Sequence, residues 1–415
     1  MRLLKAFLFL LMTLAGPVFA SGTPLQPLVD ATAPGAVLRL APGQYVGPVH
    51  LAHPVTVIGG PGVHLDGGGQ GTVLTVDAEG VRVEGLRLTG SGDSHETKDA
   101  GITLTKAATG AVIEGNLLQG NLYGIDVHGA RDAMIARNVI EGRQGHRMNQ
   151  RGNGIYVWNA PGTVIEGNDI RWGRDGIFVN TSKRNVFRGN RFRDLRFAVH
   201  YMYANDSEVS GNLSMGNHLG FAVMYSKKVR VLDNVSIGDR DHGVMLNFTN
   251  RSVVRGNYVQ DGAKKCLFVY NAHKNEIVDN RFERCGIGIH FTAGSERNDV
   301  TGNAFVGNRT QVKYVSTKWL DWAAEGRGNY WSDFVATDLD GNGIADGTYR
   351  PNDSIDQMLW QQPAARLLLG SPAVQLVQWA QSAFPALTPG GVMDSAPLMR
   401  PVEIAVPDWG KSYGG

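Results

Sequence analysis

The sequence predicts an all-β protein, a right-handed parallel β-helix built from coils of about 22–23 residues, with a short C-terminal helical extension. Three observations carry this. An asparagine recurs at 116, 138, 168, 190, 212, 234, 257, 280 and 303, with spacings of 22, 30, 22, 22, 22, 23, 23 and 23. About ten residues after each comes a short alternating stretch, as in GIDV (124–127), GIYV (154–157), GIFV (176–179), GVML (243–246) and GIGI (286–289). The 54 glycines, in a chain 42% hydrophobic and 19% charged, point to a folded protein with many turns. Two or three short strands per 22 residues leave no room for a helix, and helical solenoids need 33 residues or more.

Residues 1–20 read as a secretory signal. Arg2 and Lys5 form the charged start, Ala6 to Ala15 the apolar stretch, and Val18-Phe19-Ala20 the cleavage site, with cutting after Ala20. That apolar run is shorter than the roughly 20 residues that span a bilayer. The mature chain is expected to be exported, and soluble or peripherally attached; the alternative is an uncleaved anchor. Lys+Arg 40 against Asp+Glu 38 falls to 38 against 38 without the signal, which shows no basic surplus for nucleic acid.

Residues 21–335 form the β-helix. Val, Ile and Leu point inward, and the repeated Asn takes a turn position where it tolerates left-handed backbone and stacks as an amide ladder. Leu25 to Ala31 forms an amphipathic plug for the open N-terminal end. Eleven or twelve coils at ~4.8 Å give a rod of roughly 55 Å. Two coils are longer, and their extra residues, 91–100 and 141–153, leave from one turn as a single lobe. Cys266 and Cys285 are the two cysteines. The repeat sets them several positions out of register, so a disulfide stays open.

Residues 336–353 hold DLDGNGIAD, in which Asp338, Asp340, Asn342 and Asp346 resemble part of a calcium loop without its twelfth-position Glu; the alternative is an acidic turn. Residues 354–415 form a helical and extended segment. Pro363 to Leu369 is a short helical run, and Ser371-Pro372 starts a helix with Ala373, Leu376, Val377, Ala380 and Phe384 on one face. That face either packs on the β-helix or docks on a membrane protein or the bilayer surface. The tail from 385 reads as extended.

No enzyme constellation is visible. Asp126, Asp175, Arg174 and Lys313 are scattered and do not stack on one strand, and no carboxylate pair repeats in register as a glycosidase needs. Soft donors do stack. With Phe197, Val199 and Tyr201 inward, His200 and Met202 face out. Met224 and Met245 follow on the next two coils, Met245 shifted by one position. His200, Met202, Met224 and Met245 thus share one outer face across three coils, a thioether and imidazole set that suits Cu(I). Met215, His218 and His242 are auxiliary candidates, and His146 and Met148 weaker ones. The alternative is that the C-terminal segment covers this face and the methionines only fill gaps.

The stretches RGNGIYVWNAPG (151–162), FAVHYMYANDS (197–207), GNYWSDF (328–334), DLDGNGIAD (338–346), SPAVQLVQWAQSAFP (371–385) and GVMDSAPLM (391–399) resemble the NosD family along nearly the whole mature chain. The resemblance implies a non-enzymatic periplasmic accessory protein of an ABC transporter. Its implied partners are the transporter permease and its ATPase, through which it associates peripherally with the membrane. A copper chaperone lipoprotein is the implied donor and apo nitrous oxide reductase the implied acceptor, whose copper centres it helps assemble. The cargo, copper or sulfide, stays open. The competing reading is a carbohydrate-active or carbohydrate-binding β-helix.

Overall fold

The computed structural model describes residues 22–406, apart from 263, 317, 353 and 385–389. The signal segment lies outside the described residues. Among those described, three parallel sheets of 14, 12 and 12 strands run the length of a rod. The first sheet runs from Thr23–Pro24 to Tyr330–Trp331, the second from Val37–Arg39 to Asp299–Thr301, and the third from Val49–Leu51 to Thr310–Lys313. Each coil visits the third, second and first sheets in turn, as in Tyr123–His128, Met134–Ala136 and Val139–Glu141. Fourteen strands at ~4.8 Å make the rod about 62 Å long, somewhat longer than the repeat count implies. The first coils lack the Asn motif and so escape a count based on it.

The asparagines line the turn between the second and first sheets. From Asn116 to Asn303 each side-chain amide donates to the next asparagine's side-chain oxygen at 2.9–3.0 Å, and the series continues onto Asn329. The left-handed residue is the one before each Asn: Gly115, Arg137, Gly167 and Gly189 have φ of 63°, 53°, 63° and 62°. The asparagine itself is chosen for its amide, because it satisfies buried backbone groups on neighbouring coils.

The glycine that opens each GI motif faces the core where the coil bends. A Cβ on Gly176 would sit 2.4 Å from the Phe192 ring, and one on Gly243 2.2 Å from a Val259 methyl. Cys266 takes this inward position and forms a disulfide with Cys285, with Cα atoms 5.6 Å apart. The two belong to different positions of successive coils, and both are buried.

Both ends are plugged. The N-terminal helix α1, Gln26–Asp30, buries Leu25 and Val29 in the core. At the other end Asn329 and Trp331 close the last coil, with Trp331 stacked on Phe305 at 4.5 Å. The chain beyond 390 returns to the rod. Strand Gly391–Met393 pairs with Trp319–Asp321, and the buried Asp394 carboxylate accepts hydrogen bonds from Asn329 N (2.7 Å) and Trp331 Nε1 (2.8 Å). Gly328 makes room for it, since a Cβ there would meet Asp394 Oδ1. The extended tail is thus a cap, not part of a free docking arm.

Helix α2, Ser354–Gln361, is followed by a 3-10 turn at Pro363–Leu368 and helix α3, Pro372–Ala383. Ser371 Oγ caps α3 by accepting from Val374 N. Helix α3 packs on α2 and leaves Leu376, Trp379 and Phe384 63%, 62% and 60% exposed. The two inserts make one lobe, with Arg143 paired to Asp93 and bonded to Gly92 O. His95 Nε2 lies 3.2 Å from Gln150 O.

Candidate metal-binding face

The site is built on the outer face of the third sheet, on strands Phe197–Met202, Leu219–Met224 and His242–Asn247, which are neighbours. Val199, Phe221 and Val244 align inward, as do Tyr201, Val223 and Leu246. Alternation then turns His200, Ala222 and Met245 outward in one column, and Met202, Met224 and Asn247 in the next. Phe197 departs from the expected pattern. Ala198 takes the crowded inward position at the bend, and Phe197 turns out and stacks on His200 at 4.5 Å, 21° from parallel.

Met202 and Met224 are direct cross-strand neighbours. Met245 is in register with His200 and not with the methionine pair, with Ala222 between them. Column neighbours two strands apart have Cα atoms about 10 Å apart. Only a small residue between them lets a His and a Met side chain lean together. Ala222 is 0% exposed although it faces outward and stands outside the core cluster, so its neighbours' side chains close over it.

His200 is held from below. Its Nδ1 lies 3.2 Å from Oδ2 of Asp175, one coil earlier. Asp175 is 1% exposed, and Arg196 grips both its oxygens at 2.7 Å. Burial works to raise the Asp175 pKa, but the hydrogen bonds and charges of His200 and Arg196 outweigh it and hold the carboxyl below its usual range. Phe178 also packs on the imidazole, with ring centres 4.8 Å apart. His200 Nε2 is buried and has no hydrogen-bond partner.

The auxiliary candidates separate. His242 is on this face beside Leu219, edge-on to Phe268, with Nδ1 3.8 Å from Asp241 Oδ1 and without a hydrogen bond; burial pushes its pKa down. His218 sits in the preceding turn, with Nε2 3.7 Å from Asp241. Met215 is on the first sheet, packed against a small cluster of Leu213, Val235 and Tyr258 that Ile404 of the C-terminal segment also joins. It therefore cannot join the other donors. His146 and Met148 lie in the lobe, on a different coil. Sequence reasoning missed Arg196, Ala222 and His290, the last of which stands two strands beyond Met245 in the same column, its Nδ1 without a hydrogen bond and its pKa lowered by burial to about 3. Counting residues from each ladder Asn is the signal that would have aligned them.

Asp338, Asp340, Asn342 and Asp346 share one exposed loop, but their side chains turn onto its own backbone. Asp338 accepts from Asn342 N and Gly343 N, and Asp346 from Leu339 N. Among the described residues no three His, Cys, Asp or Glu side chains converge to hold an ion, so calcium finds no support there. Asp126, Asp175 and Lys313 occupy separate positions on the third sheet, Asp126 and Lys313 near opposite ends of its central column. Among the described residues no helix is long and apolar enough to cross a membrane.

Residues 136–336 match the model of a family described as "Periplasmic copper-binding protein (NosD)". Two solved β-helix structures are similar to the chain. A mannuronic-acid-specific polysaccharide family 6 lyase from human gut microbiota superposes with a TM-score of 0.50 at 13% identity, over 68% of this chain and 77% of the lyase. A PL6 alginate lyase bound to a trisaccharide gives 0.51 at 12% identity, over 70% and 80%. At such identities the likeness shows the fold alone. Two relatives carry the name "Probable ABC transporter binding protein NosD". That of Pseudomonas aeruginosa is 40% identical over 87% of both chains, and that of Stutzerimonas stutzeri 38% identical over 93% of this chain and 91% of its own. Matched at that identity along nearly all of its length, the chain belongs to the NosD family.

Proposed function

We propose that this protein is a periplasmic accessory and copper carrier of an ABC transporter, serving the assembly of copper centres in nitrous oxide reductase. The family description and the relatives' names support the compartment, the metal and the transporter. One observation carries the carrier role: one imidazole and three thioethers lie on the outer face of three neighbouring strands, around an outward alanine that is fully buried. Thioether sulfur and imidazole nitrogen suit Cu(I), whereas a sulfide anion would need cations or N–H donors. Thioethers are neutral and bind without shedding a proton, which favours loading and release over storage.

The exposed apolar face of α3 supports docking on the transporter permease, with the rod projecting from it. On this reading the copper chaperone and apo reductase meet the protein on the open face of the third sheet.

The test is anaerobic Cu(I) titration against a competing chelator. Met202→Leu with Met224→Leu nearly conserves volume, so the fold should survive at a cost below about 1.5 kcal/mol per site. Copper loading should fall sharply. Ala222→Leu should act similarly, by wedging His200 from Met245. Parental affinity in the double variant would place copper elsewhere and remove the carrier role from this face.

A further inference from the structure

We propose that Asp175, clamped by Arg196, is a positioning residue that holds His200 as the Nδ1–H tautomer and presents its Nε2 to the metal. The inference rests on the copper reading above and extends it to residues that touch no cargo.

The register argues that Asp175 is not there for the fold. The same position on the next coils is Phe197, Leu219, His242 and Lys265, so the β-helix accepts nearly any side chain at it. A carboxylate buried to 1% exposure is costly unless every lone pair is engaged. Here Oδ1 takes Arg196 Nε, and Oδ2 takes Arg196 Nη2 and His200 Nδ1. An ionised carboxylate only accepts, so Nδ1 carries the hydrogen and the neutral ring's lone pair falls on Nε2. That nitrogen is buried and unpartnered, an expensive state for a group that serves only packing. Phe197, stacked at 4.5 Å, and Phe178, tilted at 4.8 Å, both pack on the ring and restrict its rotation. A carboxylate behind a histidine is a common support of metal-ligating imidazoles, and its removal typically costs about 10- to 100-fold in affinity.

Cu(I) is diamagnetic, so nitrogen NMR of labelled protein reports both ring nitrogens directly. In the parent, Cu(I) should move the His200 Nε2 resonance while Nδ1 stays protonated. Asp175→Asn should lower Cu(I) affinity about 10- to 100-fold and lose the fixed tautomer before any metal is added. Arg196→Lys keeps the charge but loses the two-pronged grip, and should fall between the two; it also decides the matter if Asp175→Asn does not fold. If Cu(I) leaves both His200 nitrogens of the parent unmoved, the ligand assignment of His200 and this proposal fall together. If the parent responds at Nε2 and the variants keep the same affinity and tautomer, only the positioning role is overturned.

Discussion

Replacing Asn212 by Ala in the middle of the ladder separates the scaffold from the site. Asn212 Oδ1 accepts from Asn190 N at 2.9 Å and from Asn190 Nδ2 at 3.0 Å. Its own amide donates to Phe187 O and Asn234 Oδ1, both at 2.9 Å. Asn190 Nδ2 keeps Ile165 O as a partner, and Asn234 Oδ1 keeps Asn212 N. The substitution therefore strands the Asn190 N–H in a turn closed to water, while the Phe187 carbonyl keeps its ladder bond to the next coil. At about 1–3 kcal/mol for such a group the loss is about 1–3 kcal/mol. That is a large part of the 5–15 kcal/mol typical of a whole domain. The ladder lies between the second and first sheets, away from the outer face of the third, so Cu(I) affinity should be unchanged. Equilibrium urea unfolding followed by tryptophan fluorescence and circular dichroism checks the first part, and chelator competition on the folded variant the second. Destabilisation below about 0.5 kcal/mol would refute the account of the ladder, because no buried group would then have depended on the amide.

The C-terminal segment should divide at residue 390. Replacing the α3 region, 372–384, by a short flexible linker should leave the rod's unfolding midpoint unchanged, while truncation after 390 strands Asn329 N and Trp331 Nε1 and should cost roughly 2–6 kcal/mol in the same urea assay. Equal losses from both deletions would show that the helices are core packing after all. Asp126 gives a pH signature. Its carboxyl is buried with Oδ1 unpartnered, and burial raises its pKa from 3.8 to about 7. A raised acid is most favourable to the fold when protonated, so this contribution is complete below about pH 4 and is lost as pH rises through about 7. Asp126→Asn should therefore gain up to about 4 kcal/mol relative to the parent at pH 8 and nothing comparable at pH 4. A gain independent of pH would mean that the carboxylate is solvated.

Much of the architecture was legible because a β-helix repeats its physics every coil. The Asn spacing located the turn, alternation located the strands, and inward Val and Ile followed from both. Where one turn rule was attached to the wrong residue, the chemistry was right and the backbone was not. The asparagine supplies the amide, and the Gly, Arg or Asp before it supplies the left-handed step. The outward direction of His200, Met202, Met224 and Met245 also followed from alternation, since a strand's side chains can only take two faces.

What alternation cannot determine is which strand neighbours stand opposite one another, and there tertiary register decided. It paired Met202 with Met224, set Met245 in one column with Ala222 and His200, and sent Met215 to another sheet. It also decided that Asp175 and Arg196, 25 and 4 residues from His200, act on the same imidazole, and that Asp394 returns 65 residues to close the Asn ladder. By itself the sequence determined the fold, the repeat and the face on which soft donors lie, because those depend on local period and hydrophobicity. The partners of each donor depend on contacts between coils, whose offset is set by core packing and turn length over the whole rod, and only the folded chain contains them.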